Sequence, residues 1–147
     1  TSLLWDGRGH NGVDFKTPVG TESFAPFDGR VMRRNWSTRY NGNCLHIRGD
    51  NGLIVYFLHL ESFAEGMEPG RRVRKGELIG LSGNTGRSYA PHLHYELRNS
   101  AGRVLDPFEV QESYRESVPV DQKPAFDAHV ARLGSILEPV EAYAADR

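Results

Sequence analysis

The sequence predicts a mainly β fold followed by a C-terminal helical extension. Up to about Pro107 the chain consists of short apolar segments separated by turn residues, and nearly all of its glycines fall there. Such punctuation is typical of sheets with tight turns. From Pro124 to Leu137, by contrast, apolar residues recur with the period of a helix. We therefore expect one β domain over residues 1–110 and a largely helical extension over residues 111–147.

Six segments are predicted to be strands because apolar residues alternate or run between turn signals. They are Ser23–Pro26, Gly29–Met32, Cys44–Arg48, Leu53–Leu60, Glu77–Leu81 and His92–Arg98. Asn51-Gly52 lies between two of these segments and predicts a tight hairpin turn. In the extension, Pro124 suits the first turn of a helix. The apolar face of that helix consists of Phe126, Val130, Leu133 and Leu137.

Composition and charge exclude several classes of partner. A formal net charge of −1 removes the electrostatic case for nucleic-acid binding, and the longest apolar run, Leu53–Leu60, is too short to span a membrane. Cys44 is the single cysteine, which excludes a disulfide framework and a cysteine-based zinc site. Because the sequence does not begin with Met, we expect it to be a piece of a longer protein that carries other domains.

Two histidines share one face of the last predicted strand. His92 and His94 are two residues apart, which places their side chains roughly 7 Å from each other on the same side of a strand. One of the pair can bind a metal while the other reaches a substrate held on it. Alone, this pattern is more often a polar strand face with two solvated histidines.

A second cluster supplies an imidazole and a carboxylate. His10 and Asp14 are four residues apart, and Gly12 between them lets the backbone bend so that both side chains converge. Neutral imidazole and carboxylate oxygen are ligands that zinc accepts, and a catalytic zinc site uses three protein ligands. His59 closes the longest apolar run, where a histidine is usually structural. A metallopeptidase without an HExxH motif nevertheless needs other proton carriers, and histidines are the available candidates.

The order and spacing of these motifs resemble peptidase family M23, the peptidoglycan endopeptidases of the lysostaphin and LytM type. The matching motifs are His10-x-Gly-x-Asp14, His59-Leu60, Val73-x-Lys-Gly-x-x-Ile-Gly80, Gly83-x-Thr-Gly86, Pro91-His-Leu-His94 and Leu105-Asp106-Pro107. The resemblance implies a lysostaphin-like, antiparallel-sheet fold (a duplicated hybrid motif) whose large sheet forms the floor of a substrate groove. It covers roughly residues 7–108.

The resemblance also implies the site and its function. His10, Asp14 and His94 are expected to bind Zn²⁺, and His59 and His92 to be catalytic, assisting the water and the tetrahedral intermediate. The expected activity of residues 1–110 is that of a zinc metalloendopeptidase that hydrolyses amide bonds in peptidoglycan cross-link peptides. The expected location is the periplasm or cell envelope.

Some residues depart from the family pattern, and other functions stay open. Phe57 and Tyr89-Ala90 stand where the family often has Tyr and Thr-Gly, which affects substrate preference more than activity. The main alternative is a non-catalytic cell-wall-binding or amidase-activating module of the same fold; a second is a lipoyl or phosphotransfer carrier domain. The charged tail favours D-Ala–diaminopimelate cross-links over glycine bridges, by analogy at the level of the fold.

Overall fold

Antiparallel strands form most of the structure. The computed structural model describes the backbone of residues 2–3, 10–112 and 119–141, with side chains for residues 10–112 and 119–133. The strands are β1 (Ser2–Leu3), β2 (Val13–Phe15), β3 (Glu22–Phe24), β4 (Gly29–Arg34), β5 (Asn43–Gly49), β6 (Ile54–Phe63), β7 (Arg72–Val73), β8 (Leu78–Ser82), β9 (Leu93–Arg98) and β10 (Val104–Leu105). The helices are α1 (Thr38–Asn41), α2 (Pro107–Val110) and α3 (Lys123–Glu141).

All of these strands belong to one sheet, in which the order of the main path is β1-β2-β9-β6-β5-β4-β7. β10 pairs with β9, and β3 pairs with β8, which also pairs with β6. Each pairing is antiparallel. The predicted mainly β, antiparallel architecture is therefore confirmed.

One face of the central strands forms the hydrophobic core. Leu45, Phe57 and Tyr95 are cross-strand neighbours on β5, β6 and β9, and each is buried. Because successive residues of a strand point to opposite faces, His94 and Glu96 lie on the other side of the same sheet. One face of these strands is therefore buried in the core, and the opposite face carries His94 and Glu96.

Strand β6 changes its partners in the middle. Residues Ile54–Leu58 pair with β9, whereas Leu60–Phe63 pair with β8. His59 lies at this change of partner, with a backbone φ of 63° that residues other than glycine rarely adopt. The registers on both sides of it shift, as they do at a β-bulge. A bulge re-aims a side chain, so this histidine departs from the regular alternation of the strand.

Each strand predicted from the sequence is present, with ends that differ by at most three residues. The Asn51-Gly52 hairpin between β5 and β6 is also confirmed, and Gly52 takes the positive φ, 80°, that the turn requires. The elements that the sequence pattern missed are short ones. They are β1, β2, β7, β10, α1 and α2, each of two to four residues, which is too few for a periodicity to be read.

The chain divides into two compact units, Thr1–Glu112 and Ser113–Arg147. In the second unit, α3 covers the predicted helical stretch 124–137. Phe126 and Val130 of its apolar face are 49% and 50% exposed, and the side chain of Leu137 lies outside the described residues. Among the described residues, no helix is both long and apolar enough to cross a membrane.

Candidate metal centre

Three predicted ligands converge at the pairing of β2 with β9. Asp14 and His94 are cross-strand partners, and the Nδ1–H of His94 donates to Oδ1 of Asp14 over 2.8 Å. His10 precedes β2, and its Nε2 lies 3.0 Å from Oδ2 of Asp14. One ligand atom from each of the three side chains lies within 4.8 Å of the others. The structure therefore brings together the three residues that the sequence singled out.

Gly12 permits this close approach. A Cβ on Gly12 would lie 2.5 Å from the carbonyl oxygen of Tyr95 and 2.9 Å from Nε2 of His94. Both distances are shorter than real Cβ contacts, and the first involves backbone that cannot yield. Glycine between His10 and Asp14 therefore sets how closely the loop before β2 lies against β9.

The electrostatics of the three residues favour an ionised carboxylate. Burial opposes ionisation of Asp14, but hydrogen bonds to His94 and His10 outweigh it and lower the pKa of the carboxyl to about 2. Burial likewise favours a neutral His94, but hydrogen bonds to Asp14 and Glu96 raise the pKa of its imidazole to about 9. Without a metal, His94 thus holds a proton at neutral pH, where a metal ion would supply the positive charge instead.

His59 and His92 lie beside this group. The centre of the His59 ring is 4.8 Å from that of His92 and 6.3 Å from that of His94. Nε2 of His92 lies 3.7 Å from Oδ1 of Asp14. The structure therefore places all five predicted site residues in one cluster.

Backbone carbonyls fix the tautomers of His59 and His92. The Nδ1–H of His59 donates to the carbonyl of Thr85 over 2.8 Å, and that of His92 donates to the carbonyl of Ala90 over 2.7 Å. When each Nδ1 carries the proton, the neutral ring has an unprotonated Nε2. Burial lowers the pKa of His59, which keeps that ring neutral. Both rings can therefore accept a proton at Nε2.

Thr85 is anchored on three sides. Its Oγ1 donates to the carbonyl of Leu60 over 2.7 Å and accepts from the amide of Asn43 over 2.9 Å. Gly42 packs directly against it: a Cβ on Gly42 would lie 2.4 Å from the carbonyl oxygen of Thr85. The residue whose carbonyl orients His59 is thus held by Gly42 before β5, by Asn43 of β5 and by Leu60 of β6.

Sequence reasoning assigned no role to several residues that shape the site. Glu96 is 8% exposed, and its Oε2 lies 3.9 Å from Nε2 of His94. Burial raises the pKa of Glu96, but hydrogen bonds to His94 and Arg98 outweigh it and keep that pKa low. Ser88 contributes its Oγ, 3.1 Å from Nδ1 of His92. The sequence feature that could have identified Glu96 is its position two residues after His94, which places both side chains on the same face of the strand.

The donor set fits a metal ion of the zinc type. Two imidazoles and one carboxylate are ligands that zinc accepts, and three protein ligands leave a coordination position open. His94 is held by Glu96 and Asp14 on a buried strand, whereas His10 and Asp14 are about one-third exposed. The group is therefore built to bind a cation and is open to solvent on one side.

Comparisons with known proteins agree with this geometry. The model of peptidase family M23 matches residues 8–107. The chain is 39% identical over 129 residues to the peptidoglycan DD-endopeptidase ShyA of Vibrio cholerae, covering 87% of this chain and 29% of that relative. It thus spans less than a third of the length of that relative.

Two solved structures have the same fold. The crystal structure of a zinc-containing peptidase from Vibrio cholerae is similar with a TM-score of 0.62 and 33% identity, covering 75% of this chain and 31% of that one. The catalytic domain of lysostaphin from Staphylococcus simulans is similar with a TM-score of 0.63 and 32% identity, covering 76% of this chain and 86% of that one.

Proposed function

The chain belongs to peptidase family M23, and from that premise we propose that it is a zinc metalloendopeptidase that hydrolyses amide bonds in the cross-link peptides of peptidoglycan. The observation that carries the proposal is the cluster of His10, Asp14 and His94 beside two histidines with fixed tautomers. Residues 1–110 are the catalytic part in this proposal, and residues 111–147 are an extension.

In this proposal His10, Asp14 and His94 hold one Zn²⁺ ion. A bound zinc ion would polarise the scissile carbonyl and make the attacking water more acidic. Neighbouring side chains orient His94: its Nδ1–H donates to Asp14 over 2.8 Å, and the carboxylate of Glu96 lies 3.9 Å from Nε2 of the same ring. The presence of a zinc-containing peptidase among the similar structures supports the choice of metal.

His59 and His92 carry the protons. Each ring presents an Nε2 that accepts a proton, because its Nδ1–H is engaged by a backbone carbonyl. We assign to them the removal of a proton from the attacking water, the stabilisation of the developing oxyanion and the delivery of a proton to the leaving amine. Because Nε2 of His92 lies 3.7 Å from Oδ1 of Asp14, a proton that this nitrogen had taken from the water would be within reach of a leaving amine beside the three ligand residues.

The favoured scissile bond is the D-Ala–diaminopimelate cross-link. The similarity to a protein named as a peptidoglycan DD-endopeptidase supports this choice over the glycine bridge. An enzyme with this substrate acts in the periplasm or cell envelope. We also expect the full-length protein to carry other domains, which is consistent with a match that covers only 29% of that relative.

The test combines metal content with product analysis. Protein purified without added metal should contain about one zinc per chain, and it should release cross-linked fragments from sacculi of D-Ala–diaminopimelate chemistry, identified by mass spectrometry. Zinc-loaded protein that cleaves neither these sacculi nor glycine-bridged ones would favour the amidase-activating module. Protein that takes up no zinc would contradict the metallopeptidase altogether.

A further inference from the structure

A mainly apolar hollow of about 750 Å³ adjoins the candidate metal centre. It shares Asp14 and His92 with the site, and its remaining walls come from two segments. One wall is the stretch from Lys16 to Pro18, directly after β2; the other contains Tyr89 and Ala90. The hollow therefore lies on the His92 side of the cluster.

The first wall is held in place by a buried hydroxyl. Ser82 is 1% exposed; its Oγ donates to the carbonyl of Pro18 over 2.9 Å and accepts from Oγ1 of Thr17 over 3.1 Å. The second wall is tied to the site itself, because the carbonyl of Ala90 accepts the Nδ1–H of His92. Thr17, Pro18 and Ala90 are thus held in place by hydrogen bonds within the chain, whereas Tyr89 is 92% exposed.

Among the residues that the structure describes, Lys16 is the one lysine or arginine that lines the hollow. It directly follows β2 and lines the hollow together with Asp14, whereas Val13 of that strand is buried in the core. Asp14 is engaged by His10 and His94. The exposed ammonium of Lys16 therefore gives this hollow its capacity to attract an anion.

We propose that the hollow receives the leaving residue of the substrate and that Lys16 binds the free carboxylate on the carbon that bears the leaving amine. This rests on the proposed function and takes His92, of its two proton carriers, as the donor to that amine, so that the leaving residue lies next to His92. The hollow is the space beside that ring. Lys16 is thus a specificity-determining residue and not a catalytic one.

The chemistry of the two cross-link types makes this carboxylate a discriminating feature. In a D-Ala–diaminopimelate cross-link, the carbon that carries the leaving amine also carries a free carboxylate. In a glycine bridge, the carboxyl group of the leaving residue is part of the next amide bond. A lysine at this position therefore favours the first linkage by one charge–charge contact, which a glycine bridge cannot offer.

The experiment compares two matched substrates. One is a cross-linked peptide dimer with the free carboxylate; the other is the same dimer with a carboxamide there. The zinc-loaded chain should cleave the first with a kcat/KM about ten-fold higher, as expected for one partly exposed charged contact. Lys16→Met should abolish this preference, and Lys16→Arg should retain it. Lys75→Met, which removes an exposed lysine outside the hollow, is the control and should leave the preference unchanged.

The outcomes separate this inference from the proposed function. A wild-type chain that cleaves both dimers equally, or a Lys16→Met variant that keeps the preference, would overturn the role of Lys16 while leaving the peptidase intact. If the zinc-loaded wild type cleaves neither dimer but cleaves glycine-bridged sacculi, the peptidase stands and this inference fails. If it cleaves none of these substrates, the proposed function and the inference fail together. Zinc content and far-UV circular dichroism establish that each variant is folded.

Discussion

The sheet unit (Thr1–Glu112) and the helical unit (Ser113–Arg147) both carry apolar residues at regular spacing. The side chains of these residues nevertheless lie in different environments. Phe57 and Leu97 of the sheet are 1% and 0% exposed, whereas Phe126 and Val130 of α3 are 49% and 50% exposed. The strands bury their apolar faces against neighbours distant in sequence, while a helix forms its hydrogen bonds within itself. Periodicity thus predicts an element and its apolar face but not the depth at which that face is buried.

The same contrast holds for the histidines. Residues as far apart in the sequence as His10 and His94 meet in the sheet unit, because strand pairing brings Asp14 opposite His94. His129 lies on α3 and is exposed. We therefore expect changes in the first unit to alter metal binding, chemistry and stability, and changes in the second to alter them little.

The largest effects are expected from His94 on β9 and from His92, which directly precedes that strand. His94→Ala should lose both zinc and activity, since it removes a ligand. His92→Ala should keep zinc and lose activity about 100-fold or more, since it removes a proton carrier. His129→Ala in the helical unit is the matched control and should change neither. Zinc analysis and peptide hydrolysis measure both properties, and loss of metal from His92→Ala would contradict this division of roles.

Core substitutions should separate the two units by stability. Phe57→Ala should lower the free energy of unfolding by about 3–5 kcal/mol, because it leaves a cavity between cross-strand neighbours. Phe126→Ala, at a half-exposed position of α3, should lower it by less than about 1 kcal/mol. Urea unfolding followed by circular dichroism gives both values. Similar losses for the two variants would mean that Phe126 is buried in solution.

Zinc affinity should depend on pH through His94. In the metal-free chain the pKa of His94 is raised to about 9, so below that pH a proton must leave before the imidazole can bind a metal. Because the pKa of Asp14 is about 2, the carboxylate stays ionised throughout. Apparent zinc affinity should therefore rise about ten-fold per unit from pH 6 to pH 8. Competition with a chromophoric chelator measures it, and a constant affinity would show that His94 is not a ligand.

The smallest effect is expected from removing the helical unit. A chain that ends at Asp121 keeps the whole metal cluster, so its zinc content should be unchanged and its kcat/KM should stay within about three-fold. Stability should change little, because the apolar residues Phe126 and Val130 of α3 are about half exposed. A folded, zinc-loaded truncation without turnover would show that the extension contributes to the site.

Much of the site follows from the sequence because its motifs are local. His10 with Asp14, and His92 with His94, are pairs whose spacing already places their side chains near each other. The meeting of the two pairs depends on β2, a strand of three residues that carries too little periodicity to be predicted. Its register with β9 depends on the whole sheet, which a short-range pattern does not encode.

The orientation of the histidines could not be predicted for a related reason. Thr85 and Ala90 act through their carbonyl oxygens, which every residue type has. His59 departs from strand alternation because it has a positive φ at the point where β6 changes partners. The apolar run that precedes it in the sequence does not predict this backbone conformation. Residue types indicate which side chains can carry protons, but backbone geometry decides which nitrogen does so.

The contact between Gly42 and Thr85 has a consequence for genetics. A Cβ on Gly42 would meet the carbonyl oxygen of Thr85 at 2.4 Å, and that carbonyl holds His59. Gly42→Ala should therefore displace the hydrogen-bond partner of His59 and leave His10, Asp14 and His94 untouched. In a random mutagenesis screen scored by cell-wall lysis, this glycine would group with the histidines, as a loss-of-function position that has no side chain and no chemistry of its own.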